Sequence, residues 1–107
     1  MATKTKKLID LLDKIIVLLK QDGERHWSAW LESSKTRLIN SDYSGVEHFL
    51  SAYGGMGSFN DLVIGQTMID GKFQWKESAT KNNDKLSRLR TSAYDIANYI
   101  KQNHKIG

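Results

Sequence analysis

Apolar residues recur along the chain at the three- and four-residue spacing of amphipathic helices. Over residues 7–22 the apolar stripe is unusually broad, which predicts a first helix with a large buried face. Gly23 is the expected stop, because glycine adopts the left-handed conformation without strain. A second helix is predicted from about Glu24 to about Asn40. The apolar residues of these two helices are Leu8, Ile9, Leu11, Leu12, Ile15, Ile16, Leu18, Leu19, Trp27, Trp30, Leu31 and Leu38.

A third, shorter helix is predicted to begin at Ser44. Ser44 and Glu47 have the spacing of a capping box, in which hydroxyl and carboxylate satisfy free backbone N–H groups at a helix start. Gly54 is the expected stop of this helix. Its apolar stripe consists of Val46, Phe49, Leu50 and Tyr53.

The remaining pattern predicts one hairpin and one more helix. Asp70 and Gly71 stand between two β-favouring runs, which is a strong hairpin signal. A fourth helix is expected from about Asn83 to about His104, with an apolar face formed by Leu86, Leu89, Ala93, Ile96, Ala97 and Ile100. The predicted fold is therefore mainly α: about four helices in one compact domain, with a small β-hairpin between helices 3 and 4.

Composition agrees with one folded domain. The chain has 107 residues, of which 39% are hydrophobic and 26% charged, so a single domain over 1–107 is expected, with flexible tails at 1–6 and 105–107. The absence of cysteine excludes a disulfide scaffold and fits a reducing, cytoplasmic location. Acidic and basic residues interrupt the apolar run 8–19, which is too short to cross a bilayer, so no membrane association is expected.

Positive charge is concentrated in the ends and in one internal segment. The net charge is +4, and residues 72–90 alone hold six cations and two anions. Five of these cations form a candidate basic face: Lys72, Lys76, Lys81, Lys85 and Arg88. This face is either a solvated surface or a footprint for an acidic partner. Nucleic-acid binding is expected to be weak and sequence-blind, because residues 8–100 sum to −1.

The segment 54–61 is the most unusual part of the sequence. Glycines can expose successive backbone N–H groups to an anion, yet neither phosphate-binding signature is present here. In one interpretation the glycines end helix 3, and Ser58 or Asn60 caps the next turn. In the other interpretation the segment forms a ligand or partner site. The candidate site residues are Gly55, Met56, Gly57, Ser58, Asn60 and Asp61.

No other motif specifies chemistry. Trp27 and Trp30 are expected to be largely buried core residues, with a stacking platform as the alternative. His26, His48 and His104 fall on three different elements without metal-ligand spacing, so neither a metal nor a cofactor is predicted. No nucleophile motif surrounds any serine, and no catalytic residue is assigned.

Two segments together resemble a known family. The W-x-x-W-L helix at 26–31 is followed about twenty residues later by G-G-M-G-S-x-N-D-L at 54–62. This combination is similar to a bacterial family of small proteins known only as a domain of unknown function. The resemblance covers about residues 8–64, with a weaker helical match at the C-terminus. It implies bacterial origin and a compact cytosolic domain, and it transfers no catalytic residue.

Three functions are compatible with these patterns. The leading hypothesis is a non-enzymatic interaction module with a protein partner, such as an immunity- or antitoxin-like protein or another small bacterial regulator. The first alternative is a ligand-binding or catalytic protein that uses the 54–61 loop. The second is weak nucleic-acid binding through residues 72–90. The sequence does not specify an oligomeric state.

Overall fold

The computed structural model describes residues 2–54 and 58–104, which form four α-helices and one β-hairpin. The helices are α1 (Ala2–Asp22), α2 (Arg25–Ile39), α3 (Ser44–Leu50) and α4 (Ala79–His104). The hairpin consists of β1 (Gln66–Ile69) and β2 (Lys72–Trp75). A single 3₁₀ turn, Phe59–Asp61, lies between α3 and β1. The hairpin stands between helices 3 and 4, so the predicted fold class is confirmed.

Helix α1 lies at the centre of the packing. It contacts both α2 and α4, while α3 also packs against α2 and α4. The broad apolar stripe of α1 is buried because the helix is covered from two sides. The fully buried side chains include Leu8, Leu12, Ile15, Leu19, Leu31, Val46, Phe49, Phe59, Ile64, Leu86, Ala93, Ala97 and Ile100.

Two helices are longer than predicted. Helix α1 begins at Ala2, five residues before the expected start, and no glycine or proline interrupts this extension. The added turn contacts α4, because the Lys4 ammonium lies 5.0 Å from the centre of the Tyr99 ring, within the range of a cation–π interaction. Helix α4 begins at Ala79, four residues before Asn83. Both predicted starts were wrong.

The predicted helix boundaries around α2 and α3 are partly confirmed. Glu24 caps α2, its carboxylate accepting a 2.8 Å hydrogen bond from the Trp27 N–H. The capping box is wrong: Ser44 is the first helical residue of α3, and its N–H donates to Asp42 Oδ1 at 2.9 Å. Hydrogen bonds from Ser44 hold the pKa of Asp42 below its usual value. Helix α3 ends at Leu50, before the expected stop at Gly54.

The hairpin turn has the backbone geometry that its sequence predicts. Asp70 and Gly71 both have positive φ, 53° and 78°, as a type I′ turn requires. Met68 lies opposite Phe73, and Gln66 lies opposite Trp75. Side chains of residues directly opposite each other lie on the same face of a sheet, so Met68, Phe73 and Trp75 share one face.

Candidate functional site

The base of the hairpin is fixed to the end of α1. One carboxylate oxygen of Asp22 accepts hydrogen bonds from the Gly65 N–H at 2.9 Å and from the Lys76 ammonium at 3.1 Å. Gly65 and Lys76 also pair with each other, because the Lys76 N–H donates to the Gly65 carbonyl at 2.7 Å. Gly65 has φ +90°, and a Cβ there would lie 2.6 Å from the Cβ of Ala79. The base of the hairpin is therefore closely packed against Ala79.

A second side chain holds the segment before β1. The Asn83 amide accepts a hydrogen bond from the Ile64 N–H at 2.8 Å and donates to the Ile64 carbonyl at 2.7 Å. It also donates to the Ala79 carbonyl at 2.9 Å, within the first turn of α4. Asn83 thus pairs with the Ile64 backbone much as a neighbouring strand does, and it fixes the chain beside α4.

Beyond this base, the hairpin exposes a large apolar surface. Met68 is 60% exposed, Phe73 is 76% exposed and Trp75 is 60% exposed. These three residues are called the hairpin face below. Ile69 and Val63 are also about half exposed nearby in sequence. Large contiguous apolar surfaces are uncommon on monomeric soluble proteins and typically mark interaction sites.

The predicted basic face lies beside the hairpin in sequence, and all five of its residues are exposed. Lys72 belongs to β2, and Lys76 is paired with Asp22. Lys81, Lys85 and Arg88 follow one side of α4 at helical spacing and make no ion pair with any residue that the structure describes. Four of the five cations are therefore available to an external anion.

The predicted loop site is only partly within the described residues. Gly55, Met56 and Gly57 lie outside them. Gly54 has φ +119°, as the structural interpretation of the loop requires. The loop is closed by a 3.0 Å hydrogen bond from the Phe59 N–H to the Ala52 carbonyl.

The polar residues of the loop do not converge on one point. Ser58 is partly buried, and its hydroxyl has no hydrogen-bond partner within the described part of the chain, so it does not cap the 3₁₀ turn. The Asn60 side chain is exposed and lines a cleft facing α4. Asp61 is exposed and acts electrostatically on Arg90, where its charge opposes the lowering of the pKa. The structure thus brings Asn60 alone of these three to the cleft wall.

Arg90 holds the end of this loop against α4. Its Nη1 donates to the carbonyls of Phe59 at 2.9 Å and Leu62 at 3.1 Å, and its guanidinium lies 5.6 Å from the centre of the Phe59 ring. Burial lowers the pKa of Arg90, while Tyr53 and Asp61 oppose that effect. In return, the Tyr53 hydroxyl donates to the Arg90 carbonyl at 2.9 Å, and burial raises the pKa of that phenol.

The two tryptophans are largely buried, as predicted, although neither is fully buried. Both are partly exposed, although both pack against the hydrophobic core. Trp30 donates from its indole N–H to the His48 carbonyl at 3.0 Å and stacks on the His48 ring at a centroid distance of 4.4 Å. The Trp27 and Trp30 rings lie 5.7 Å apart. The core interpretation of Trp27 and Trp30 is therefore supported, although neither residue is fully buried.

A serine–histidine hydrogen bond lies next to Trp30. The Ser34 hydroxyl is 2.6 Å from His48 Nδ1, the distance of a nucleophile–base pair. Ser34 is, however, fully buried, so no substrate can reach its oxygen. Burial and the nearby Arg37 lower the pKa of His48, which favours the neutral form of the ring. The pair is placed to stabilise the contact between α2 and α3.

The described residues form neither a metal-binding cluster nor a membrane-spanning helix. Within residues 2–54 and 58–104, no three His, Cys, Asp or Glu side chains are grouped as a metal site requires. None of the helices in that same part of the chain combines the length and apolar character needed to span a bilayer.

The W-x-x-W-L helix contacts the 54–61 loop, since the Trp27 ring packs on the ring of Phe59 near the end of that loop. A domain of unknown function, DUF6966, is found at residues 20–70. The DUF6966 match begins later than the expected resemblance over 8–64 and extends through β1 to the hairpin turn. It includes Asp22 and Gly65 but neither β2 nor α4. No curated protein and no solved structure shows significant similarity to the chain.

Sequence reasoning missed the hairpin face and the role of Arg90. The alternation of residues 66–75 predicts strands and assigns Met68, Phe73 and Trp75 to one face, which was a usable signal. It cannot show whether a helix covers that face. Arg90 belongs to the basic segment by composition, whereas its contacts with two backbone carbonyls depend on the tertiary fold.

Proposed function

We propose that the protein is a small, non-catalytic interaction module of the bacterial cytoplasm, and that its hairpin face binds an acidic protein partner. The observation that carries this proposal is the exposure of Met68, Phe73 and Trp75 on one face of a hairpin whose base is held by Asp22. Aromatic residues dominate the binding energy of many protein interfaces. The absence of cysteine supports a reducing compartment.

The energies favour a partner that uses both the apolar and the charged groups. Complete burial of one large apolar side chain contributes about 1.5–3 kcal/mol. Three such residues contribute about 4.5–9 kcal/mol, which falls in the lower half of the association cost of about 4–15 kcal/mol and does not reliably exceed it. Contacts with Lys72, Lys81 and Lys85 would add attraction and speed up encounter with an acidic surface.

The charge distribution argues against two other occupants. Two copies of the chain each carry a net charge of +4, and like charges oppose their association. A nucleic acid would meet Glu77 and Asp84, which interrupt the basic segment. An acidic protein is not repelled by the positive charge of the chain. It can also contact the basic residues without contacting Glu77 or Asp84. An immunity- or antitoxin-like protein that occupies a protein target would use a surface of this kind.

The test is site-specific photo-cross-linking of the full chain in bacterial cells. The photoreactive residue replaces Phe73 in one variant and Ile39 in the control, since Ile39 on α2 is 58% exposed and lies outside the hairpin. A protein partner is expected to cross-link at position 73 but not at position 39. The partner is then purified and its affinity measured. The double change Phe73→Ser and Trp75→Ser is expected to weaken binding at least about 30-fold, the effect of a 2 kcal/mol hot spot.

Charge variants separate the contributions. Lys81→Glu with Lys85→Glu is expected to weaken the same binding and reduce its salt dependence, whereas Lys7→Glu with Lys14→Glu on α1 is the charge-matched control. Unchanged affinity of the Phe73→Ser and Trp75→Ser variant contradicts the proposal. So does cross-linking only to nucleic acid or lipid, only to a second copy, or to nothing at position 73.

A further inference from the structure

A concave surface that none of the hairpin residues lines lies beside Arg90. This cleft has a volume of about 510 Å³ and is formed by the end of α3, the 3₁₀ turn and α4. We call it the tyrosine cleft, and its functional groups belong to Tyr53, Asn60, Arg90, Tyr94, Asn98 and Lys101. Its volume is within the range of about 300–1,000 Å³ that small-molecule sites occupy.

Two tyrosine rings form one wall of the tyrosine cleft. The rings of Tyr53 and Tyr94 are 4.7 Å apart at an angle of 50°. Tyr53 is held in place by its hydrogen bond to the Arg90 carbonyl and by edge contacts with Phe49 and Phe59. Tyr94 is 40% exposed, so part of its ring is accessible from solvent. A planar ligand can therefore lie on an aromatic surface that is already ordered.

Three polar side chains of the cleft are not used by the fold. The side-chain amides of Asn60 and Asn98 make no hydrogen bond to any described residue, and Lys101 makes no ion pair with one. Arg90 contributes a second positive charge, partly offset by the carboxylate of Asp61. None of the described residues lining the cleft is acidic. The cleft therefore offers free donors and net positive charge.

We propose that the tyrosine cleft binds a small planar anion, namely an aromatic ring that carries a carboxylate or a phosphate. The ring would lie on Tyr94, the anionic group would contact the Lys101 ammonium, and the amides of Asn60 and Asn98 would donate to its acceptor atoms. This binding is independent of the hairpin face, because no residue of that face lines the cleft.

The test is an NMR titration of the isotope-labelled full chain with three probes: benzoate, adenosine monophosphate and inorganic phosphate. At least one of the two ring-bearing probes is expected to shift the side-chain amide signals of Asn60 and Asn98 saturably, with a dissociation constant of about 1 mM or lower. A response to benzoate alone identifies a carboxylate site, and a response to the nucleotide alone identifies a phosphate site. Inorganic phosphate is expected to cause no saturable shift, because it lacks the ring.

Variants on α4 provide the control. Lys101→Glu is expected to weaken probe binding at least about tenfold, whereas Lys81→Glu, the same charge change on the same helix outside the cleft, leaves it unchanged. Tyr94→Leu is expected to weaken binding while Lys101 is intact. The proposal is overturned by absence of saturable shifts, by equal binding to the Lys101→Glu and Lys81→Glu variants, by equal binding of phosphate alone, or by probe shifts confined to Trp75 of the hairpin.

Discussion

The indole of Trp27 packs against the phenyl ring of Phe59, with ring centroids 5.5 Å apart at an angle of 45°. This contact joins the W-x-x-W-L helix to the end of the 54–61 loop. The centroid of the Phe59 ring lies 5.6 Å from the centroid of the Tyr53 ring, and Tyr53 comes directly before the loop. Trp27, Tyr53 and Phe59 thus form one aromatic cluster, in which Tyr53 comes just before the loop and Phe59 lies near its end. This packing is a structural explanation for the spacing of the two motifs.

The chain offers a direct comparison between a tryptophan of this cluster and one of the hairpin face. Trp30→Ala is expected to lower the free energy of unfolding by about 2–4 kcal/mol, because it removes partly buried ring contacts and one of the two hydrogen bonds that the His48 carbonyl accepts, the other coming from the Ser51 hydroxyl. Trp75→Ala should change it by no more than about 0.5 kcal/mol, since Trp75 is mostly exposed. Chemical denaturation measures both. Equal losses in the two variants would contradict the assignment of these roles.

Local signals predicted the hairpin turn but not the beginning of α4. Positive φ is required at both central turn positions, and Asp70 and Gly71 supply it, so the turn can be recognised without tertiary information. The start of α4 is different, because Asn82 and Asn83 have low helix propensity. Asn83 gains bonds to Ile64, 19 residues earlier in the chain, and this long-range contact compensates for its poor propensity.

Candidate functional surfaces were harder to predict because they depend on what covers each element. Strand alternation places Phe73 and Trp75 on one face, but only the tertiary arrangement leaves that face uncovered. Likewise, Arg90 counts as a surface cation in the sequence, while its guanidinium is occupied with loop carbonyls. The charge pattern likewise could not show that Lys76, one of the five predicted basic-face residues, is paired with Asp22.

Asn83 is expected to be a major determinant of stability. Asn83→Ala removes three hydrogen bonds and leaves the Ile64 N–H and carbonyl without partners beside a buried side chain, which should cost about 2–3 kcal/mol. Asn82→Ala is the matched control, because Asn82 makes only an exposed side-chain bond to Ser78. Denaturant unfolding of both variants checks this prediction. A loss no larger for Asn83→Ala than for Asn82→Ala would contradict it.

The Ser34–His48 pair predicts a specific pH dependence of stability. Burial, with a contribution from Arg37, lowers the pKa of His48 below its usual 6.5. The unfolded chain then binds more protons between the lowered pKa and pH 6.5, so the free energy of unfolding rises with pH through that window. The contribution of His48 is complete above about pH 6.5 and is lost as the pH falls toward the lowered pKa.

His48→Gln should weaken this pH dependence below about pH 6.5. His26→Gln is the control, because His26 is exposed and edge-packed on Trp27. Melting temperature is measured across the range for both variants, and NMR titration gives the pKa of His48 directly. A measured pKa of His48 at or above 6.5 would show that the ring is not held in its neutral form.

The position of the hairpin face should depend on Asp22, because one carboxylate oxygen accepts from both the Gly65 N–H and the Lys76 ammonium. Asp22→Ala leaves the buried Gly65 N–H without its acceptor, at a cost of about 1–3 kcal/mol. This cost should be confined to the hairpin, because the core helices do not depend on that bond. Hydrogen exchange at Gly65 and across β1 and β2 is therefore expected to accelerate at least about tenfold, while exchange within α1 and α4 changes little.

Two further variants test how Asp22 acts. The first separates its charge from its acceptor oxygen, and the second is a control at a different ion pair. Asp22→Asn retains an oxygen acceptor for Gly65 but removes the charge that attracts Lys76, so its exchange rates should fall between those of the wild type and Asp22→Ala. Asp13→Ala removes the more exposed ion pair with Lys35 and should leave hairpin exchange unaltered. If exchange at Gly65 is the same in Asp22→Ala as in the wild type, the Asp22 carboxylate does not hold the hairpin base. The packing of Gly65 on Ala79 would then have to fix the hairpin alone.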